Sequence, residues 1–457
     1  MSSETPDNVI LIIADSLRYD IVNDDISTIP YIRSVSKQFT NARACGCWTL
    51  PATASIFTGL LPHEHGGTSQ TRYIDKGNTT LAEILRDNGF DTYQVTANVA
   101  TTEIFGLERG FNVVYKLWDN ILPRFPKLID FLVLIGKPRI RKKLFSKNLL
   151  MNDFSEDIKV GNSWLQSLYP VAFSKANEII EKNKKTGRKS FIFLNLMETH
   201  YPYHINQSFK FLSKGLYNNY HELKSLFRMV DQSFLKNEET TIQLEYLQLL
   251  KDRQKASWKL IEKDLDTFIK QHHEGKNNLI IFGSDHGENF GDEDWMYHFS
   301  NLTEAGIRIP LFWLDNIDNK AEPISQETSQ KFIFNSILKS CRINIDKSID
   351  TTIFKENFDS IPMSESFWYN NNGKTLEKYK YNQFSFFKDS VKYILRGKQW
   401  HSLKIGNDSK DENKLQSLDN KVNPTEEINL SKEQKSNIQL KIDEFNIFSK
   451  RTASGKR

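Results

Sequence analysis

NVILIIA, residues 8–14, is followed at once by Asp15, and this stretch decides the fold. Six apolar residues, Val9 to Ala14, run without a polar break, far fewer than the roughly 20 needed to cross a bilayer. They do not alternate with polar residues, so the run predicts a strand buried on both faces, as in a parallel sheet. Asp15 then stands at the strand's C-terminal end, where open α/β sheets bind their ligands. The same pattern recurs along the chain. DTYQVT (91–96) follows a helical stretch, TLAEILRDNG (80–89), that ends on Gly89 as a C-cap. SFIFLNLM (190–197) runs into Glu198-Thr199-His200, and NLIIFG (278–283) runs into Ser284-Asp285-His286. A long helical pattern, about 240–273, precedes the last of these. Strands alternating with helices predict an α/β chain with a doubly wound, mostly parallel sheet flanked by helices. Three strands ending in Asp or His predict one shared site at the sheet's C-terminal edge.

The 457 residues suffice for a large domain and a smaller one. Lys plus Arg number 61 and Asp plus Glu 57, and the net charge of +4 is too small to make nucleic acid the default partner. Cys45, Cys47 and Cys341 give no disulfide framework and no second cluster that would complete a zinc site, so they read as reduced packing residues. The N-terminus is polar and acidic, with no basic segment and no small-residue cleavage site. The expectation is a cytoplasmic chain without a transmembrane segment.

Two stretches break the strand–helix rhythm. Residues 117–160 hold FLVLIG and the basic KPRIRKKLFSK, and read as a helical insertion or as a lid over an anionic substrate or membrane surface. Residues 205–235 read as a second helical insertion. The composition changes near Cys341, so the expected division is a catalytic unit over 1–340 and a small C-terminal α+β subdomain over 341–457. There, 384–395 and 400–405 read as short strands, and the tail from Asn437 as a helix.

WTLPATASIFTGLLPHEHG (48–66) resembles the signature of the sulfatase family of the alkaline phosphatase superfamily. That signature places a Cys or Ser two residues before a Pro and ends on Thr-Gly. In this register Thr49 stands at the nucleophile, Pro51 at the proline and Thr58-Gly59 at the end; Cys47, four residues before Pro51, does not fit. The resemblance extends to residues 8–20, to Asn98 with GLERGF (106–111), to METHYPY (197–203) and to GSDHGE (283–288). It continues through His298, EAGIRIPLFW (304–313) and LDNKVNPTEEINL (418–430). It implies an alkaline phosphatase-like fold and a metal-dependent ester hydrolase.

The departures sharpen the expectation. Threonine cannot supply the formylglycine that sulfatases proper make from Cys or Ser. Thr53 stands at the signature arginine, and Ser16 at the second aspartate of the N-terminal pair. Threonine nucleophiles resemble instead the phosphate-handling branches of the superfamily. A free Thr hydroxyl is a poor nucleophile near neutral pH, and a divalent cation favours its alkoxide. Asp15, Thr49, Asp285 and His286 are the candidate ligands of that cation, whether Ca, Mg, Mn or Zn. His200 and His298 are candidates for general acid and substrate contacts. Asn98 is a candidate donor to a substrate oxygen. A second metal would draw on His200, His204, His298 and Glu198.

Plainer alternatives stand beside each assignment: a helix N-cap for Asp15, a strand or cap hydroxyl for Thr49, surface positions for the histidines, a turn for His65, a structural ion pair for Arg18. The leading reading is hydrolysis of phosphate or sulfate esters, phosphate favoured, on an anionic small molecule, glycan or lipid. The competing readings are a phosphoryl transferase to a sugar or lipid hydroxyl and a non-catalytic anion binder.

Overall fold

The computed structural model describes residues 5–24, 27–117, 167–201, 203, 241–298, 301–315, 321–344, 352–354, 361–368, 381–405, 416–418 and 424–453. Both expected insertions lie almost wholly outside these residues. The main sheet has eight strands: β1 (Asn8–Ala14), β2 (Lys37–Arg43), β3 (Asp91–Thr96), β4 (Val113–Lys116), β5 (Ser190–Leu196), β6 (Asn278–Gly283), β9 (Leu311–Leu314) and β10 (Glu322–Ser329). A small hairpin, β7 (Asn289–Phe290) and β8 (Met296–Tyr297), lies between β6 and β9 in the chain. The strand order is β10-β2-β9-β6-β1-β5-β3-β4, and only β9 runs against its neighbours.

β1 is the central strand, as its unbroken apolar run predicts: it pairs in parallel with β5 and β6 and is buried along its whole length. The pleat sends alternate residues to opposite faces. Val9, Leu11 and Ile13 join Phe191, Phe193, Leu279 and Ile281 in a core closed by the helices Thr49–Thr58, Leu81–Asp87 and Phe332–Ser340. Ile10, Ile12 and Ala14 join Ile192, Leu194, Ile280 and Phe282 under the helices Tyr169–Thr186 and Thr241–His273. This is the helix–sheet–helix sandwich expected of a doubly wound fold.

The helix after Thr80 ends at Asp87, with Gly89 following in the left-handed region at φ +87°. Thr80 and Glu83 form its capping box.

The smaller sheet is antiparallel: β11 (Met363–Ser366), β12 (Gln383–Lys388), β13 (Val391–Arg396), β14 (Gln399–Lys404) and β15 (Gln416–Ser417). The apolar stretch 384–395 is therefore a hairpin and not one strand. Asp389 and Ser390 form its two-residue turn, both at positive φ (51° and 61°), the backbone that suits the twist of a tight hairpin. The final helix starts at Lys432, earlier than expected, and packs Ile438, Ile442 and Phe445 against Phe384 and Phe386. All three cysteines are buried, and none forms a disulfide. Among the described residues no helix is long and apolar enough to cross a membrane.

Candidate active site

The strand order itself assembles the site. β6 and β5 flank β1, so the residues beyond their C-terminal ends converge on Asp15. Asp15 continues the ladder with its N–H donating to the Leu196 carbonyl (2.9 Å), and Thr199 Oγ1 donates to the Asp15 carbonyl (2.7 Å). Ser16 then turns the chain at φ +60°, and its N–H donates to Asp285 Oδ1 (3.2 Å). A second donor to the same oxygen is the His286 N–H (2.9 Å). Gly287 follows because nothing larger fits: a Cβ there would lie 2.0 Å from the Ala305 carbonyl oxygen.

Thr49 is the first residue of a helix buried along all ten positions, and no side chain caps that N-terminus. Its hydroxyl donates to Asp15 Oδ2 at 3.4 Å. Asn98, beyond β3, turns its amide inward. Its Nδ2 donates to Asp15 Oδ2 (2.6 Å) and to Thr49 Oγ1 (3.3 Å), while its Oδ1 accepts from the Ala100 N–H (2.7 Å) and locks the orientation. Asn195, inside the otherwise apolar β5, donates to the same Asp15 oxygen at 3.4 Å. It escaped the sequence reading, although one amide within SFIFLNL was its signal.

Asp15, Asp285 and His286 are fully buried and present ligand atoms within 4.8 Å of one another. His286 Nδ1 donates to the Gly287 carbonyl (2.8 Å), so in the neutral ring Nε2 carries the lone pair. That Nε2 lies 3.5 Å from Asp285 Oδ2 and 3.7 Å from Asp15 Oδ1. Asp285 Oδ2 and His286 Nε2 have no hydrogen-bond partner among the described residues. No lysine or arginine there pairs with either aspartate. Burial, and then the charge of Asp15, push Asp285 well above the usual carboxylate range. Burial acts on Asp15 in the same direction, but His200, His286 and the Asn98 hydrogen bond hold it below its ordinary value. Two buried carboxylates and an imidazole nitrogen, with Asp285 Oδ2 and His286 Nε2 orphaned, form a donor set that fits a hard or borderline divalent cation.

His200 and His298 stand beside this cluster. Their ring centroids are 4.9 Å apart, and those of His298 and His286 4.7 Å. His200 Nδ1 donates to the Tyr201 carbonyl (2.5 Å). His298 Nδ1 lies 3.0 Å from both carboxylate oxygens of Glu288. Burial pushes His298 well below its ordinary value and lifts Glu288 to about 7.

Other candidates have plainer roles. Glu198 Oε1 accepts the N–H groups of Leu168 and Tyr169 (2.8 and 2.9 Å), at the start of the helix Tyr169–Thr186. Its other oxygen, Oε2, is buried with no hydrogen-bond partner among the described residues. His204, also read for a second-metal site with His200 and His298, lies outside the described residues. Arg18 is a buried clamp joining Asp20 (2.7 Å), Asp292 (2.6 Å) and the Glu288 carbonyl (2.9 Å). His65 shapes its turn: its Nδ1 accepts from the Gly67 N–H (2.9 Å), and its Nε2 bonds Ser55 (3.1 Å). Thr53 lies one turn along the helix from Thr49, buried, its hydroxyl without a partner among the described residues.

The sulfatase family model matches residues 7–341. No curated protein matches the chain in sequence. Among solved structures the chain is similar to a phosphonate monoester hydrolase of Agrobacterium radiobacter, 16% identical, with a TM-score of 0.61 over 97% of this chain and 96% of that one. It is also similar to BT4656, solved in complex with its substrate D-glucosamine-2-N,6-O-disulfate, at 14% identity, TM-score 0.59, and 98% coverage of both chains. A protein in the alkaline phosphatase superfamily from Vibrio parahaemolyticus is 13% identical, with a TM-score of 0.57 over 99% of this chain and 88% of that one. At such identities the likeness speaks for the fold, while the family match covers most of the chain. The residues gathered at the C-terminal edge of the sheet thus stand in a member of the sulfatase family, whose enzymes are metal-dependent ester hydrolases.

Proposed function

We propose that this chain hydrolyses phosphate mono- or diesters through a covalent intermediate on Thr49. The observation that supports this most is the Thr49 hydroxyl at the uncapped N-terminus of a buried helix, 3.4 Å from Asp15 Oδ2. Asp15, Asp285 and His286, with Thr49 itself, would hold a divalent cation, which when bound favours the Thr49 alkoxide and offsets charge on the transferred group. Thr49 Oγ attacks phosphorus as the alkoxide, the form in which the second half returns it, and the bond from phosphorus to the leaving oxygen breaks. The electron pair stays on that oxygen, which takes a proton from Nε2 of His298; His200 lines the same side. Asn98 Nδ2 and the N-terminus of the helix Thr49–Thr58 meet the non-bridging oxygens. Water then attacks phosphorus, giving its proton back to His298, and the bond from Thr49 Oγ to phosphorus breaks. The catalytic unit in this reading is 1–340, with 341–457 as its appendage.

Thr49 and Thr53 argue for phosphorus over sulfur. A formylglycine hydrate can expel sulfate by breaking its own C–O bond. Threonine has no such route, so water must attack the transferred atom, as in an ordinary phosphoenzyme. The test compares nitrophenyl phosphate, bis-nitrophenyl phosphate and nitrophenyl sulfate, each with and without EDTA. The expected kcat/KM for the better phosphate ester exceeds that for the sulfate by at least about tenfold, roughly 1.4 kcal/mol. Faster turnover of the sulfate overturns the phosphate preference.

A further inference from the structure

Glu288 is fully buried, yet the steps above leave its carboxylate without a part. The β7–β8 hairpin places it. Asn289 pairs with Tyr297 and Phe290 with Met296, so the next residues outward, Glu288 and His298, face each other. Both carboxylate oxygens lie 3.0 Å from His298 Nδ1. Two further contacts hold the carboxylate and its backbone. Tyr203 OH donates to Glu288 Oε2 (3.4 Å), from a residue held at φ +57°, a conformation tyrosine seldom adopts. Arg18, itself fixed by Asp20 and Asp292, donates to the Glu288 carbonyl at 2.9 Å.

We infer that Glu288 is a positioning residue that fixes the tautomer and ring orientation of His298, so that His298 Nε2 is the atom that protonates the leaving oxygen. This rests on the hydrolase reading above. An ionised carboxylate only accepts hydrogen bonds, so against it Nδ1 carries the hydrogen that faces both oxygens. Nε2 is then the nitrogen that exchanges its proton: it gives one to the leaving oxygen as the phosphorus–oxygen bond breaks, and takes one from the attacking water in the second half. The Nδ1 hydrogen stays in place throughout.

The expected signature is a dependence on leaving-group basicity, because a nitrophenolate departs without a proton and a plain phenolate needs one. The experiment uses the nitrophenyl and phenyl members of whichever phosphate ester class the wild-type protein turns over faster. In Glu288→Gln, kcat for the phenyl ester should fall on the order of 100-fold, and for the nitrophenyl ester by less than about fivefold, in the range of general-acid effects. Glu288→Asp, which keeps the charge, should recover part of the phenyl loss. In a His298→Ala background Glu288→Gln should cost less than about threefold more, because the two act as one unit. Metal content and the unfolding midpoint of each variant verify that it folds. Equal losses on both esters, or full additivity with His298→Ala, would show a merely structural role and overturn the inference. Absence of turnover of every phosphate ester by the wild-type protein would instead overturn the hydrolase reading, and this inference with it.

Discussion

Asp285→Asn isolates the cation site with little disturbance to the fold. Asp285 Oδ1 already accepts two backbone N–H groups, from Ser16 and His286, and the amide oxygen of Asn can keep both. Only Oδ2 changes, and that atom has no partner among the described residues. The candidate ligand atoms of Asp15 and Asp285 are at most 4.8 Å apart. At an effective dielectric of about 20, two unit charges at that distance repel by at least about 3 kcal/mol. In the metal-free protein most of this is relieved by a proton on Asp285, whose carboxyl is raised. The variant should therefore be within about 1 kcal/mol of wild type in EDTA, or slightly more stable. With a cation the order reverses. At a free concentration of about 100 times the dissociation constant, the wild type gains about 2.7 kcal/mol. Removing one ligand charge worth about 3 kcal/mol weakens binding about 100-fold, since every 1.4 kcal/mol is tenfold. At the same concentration the variant then gains only about 0.4 kcal/mol. The assay is thermal unfolding of both proteins in EDTA and in a series of divalent cations, with elemental analysis of the purified samples. A gap of roughly 2 kcal/mol, a few degrees in midpoint, should open only in cation. A wild-type midpoint indifferent to every cation, or an equal increment in both proteins, would refute the reasoning.

Thr49→Ala should lose several orders of magnitude in kcat while its unfolding midpoint stays close to wild type, and Thr49→Ser should keep part of the activity; retention of more than about a tenth of wild-type kcat in the alanine variant would remove Thr49 from the role of nucleophile. The smaller sheet docks through His63, whose Nδ1 lies 2.6 Å from Glu365 on β11 and whose Nε2 lies 3.3 Å from Glu444 on the last helix. Burial acts to lower the His63 pKa, but the charge of Glu365 outweighs it and the net direction is upward. A raised histidine contributes stability that is whole below its ordinary value of about 6.5 and is lost as pH climbs through the folded value. The unfolding midpoint should therefore fall from mildly acidic to mildly alkaline pH, and His63→Gln should flatten that fall; identical pH profiles for the two proteins would contradict the assignment.

The local sequence determined the strands at the middle of the main sheet. β3 (DTYQVT) is legible because it follows the helical stretch that ends at Gly89; β1, β5 and β6 are legible because a strand buried on both faces is largely apolar, and the residue after such a run stands where a site can form. Asp15, Asp285 and His286 were legible for that reason. Thr49, Asn98, His200 and His298 rested on the resemblance of whole motifs, since no local pattern marks them. β2 (KQFTNAR) and the edge strand β10 (EPISQETS) were not legible: with incomplete burial they carry no apolar run. The reversed direction of β9 is set by its neighbours β2 and β6 and by nothing in LFWL. Tertiary structure alone decided which polar residues turn inward. Glu198 and Glu288 each follow an apolar strand, yet one caps a helix and the other meets His298. The difference lies in which backbone passes within hydrogen-bond reach, and strand order and hairpin register fix that distance, whereas composition does not.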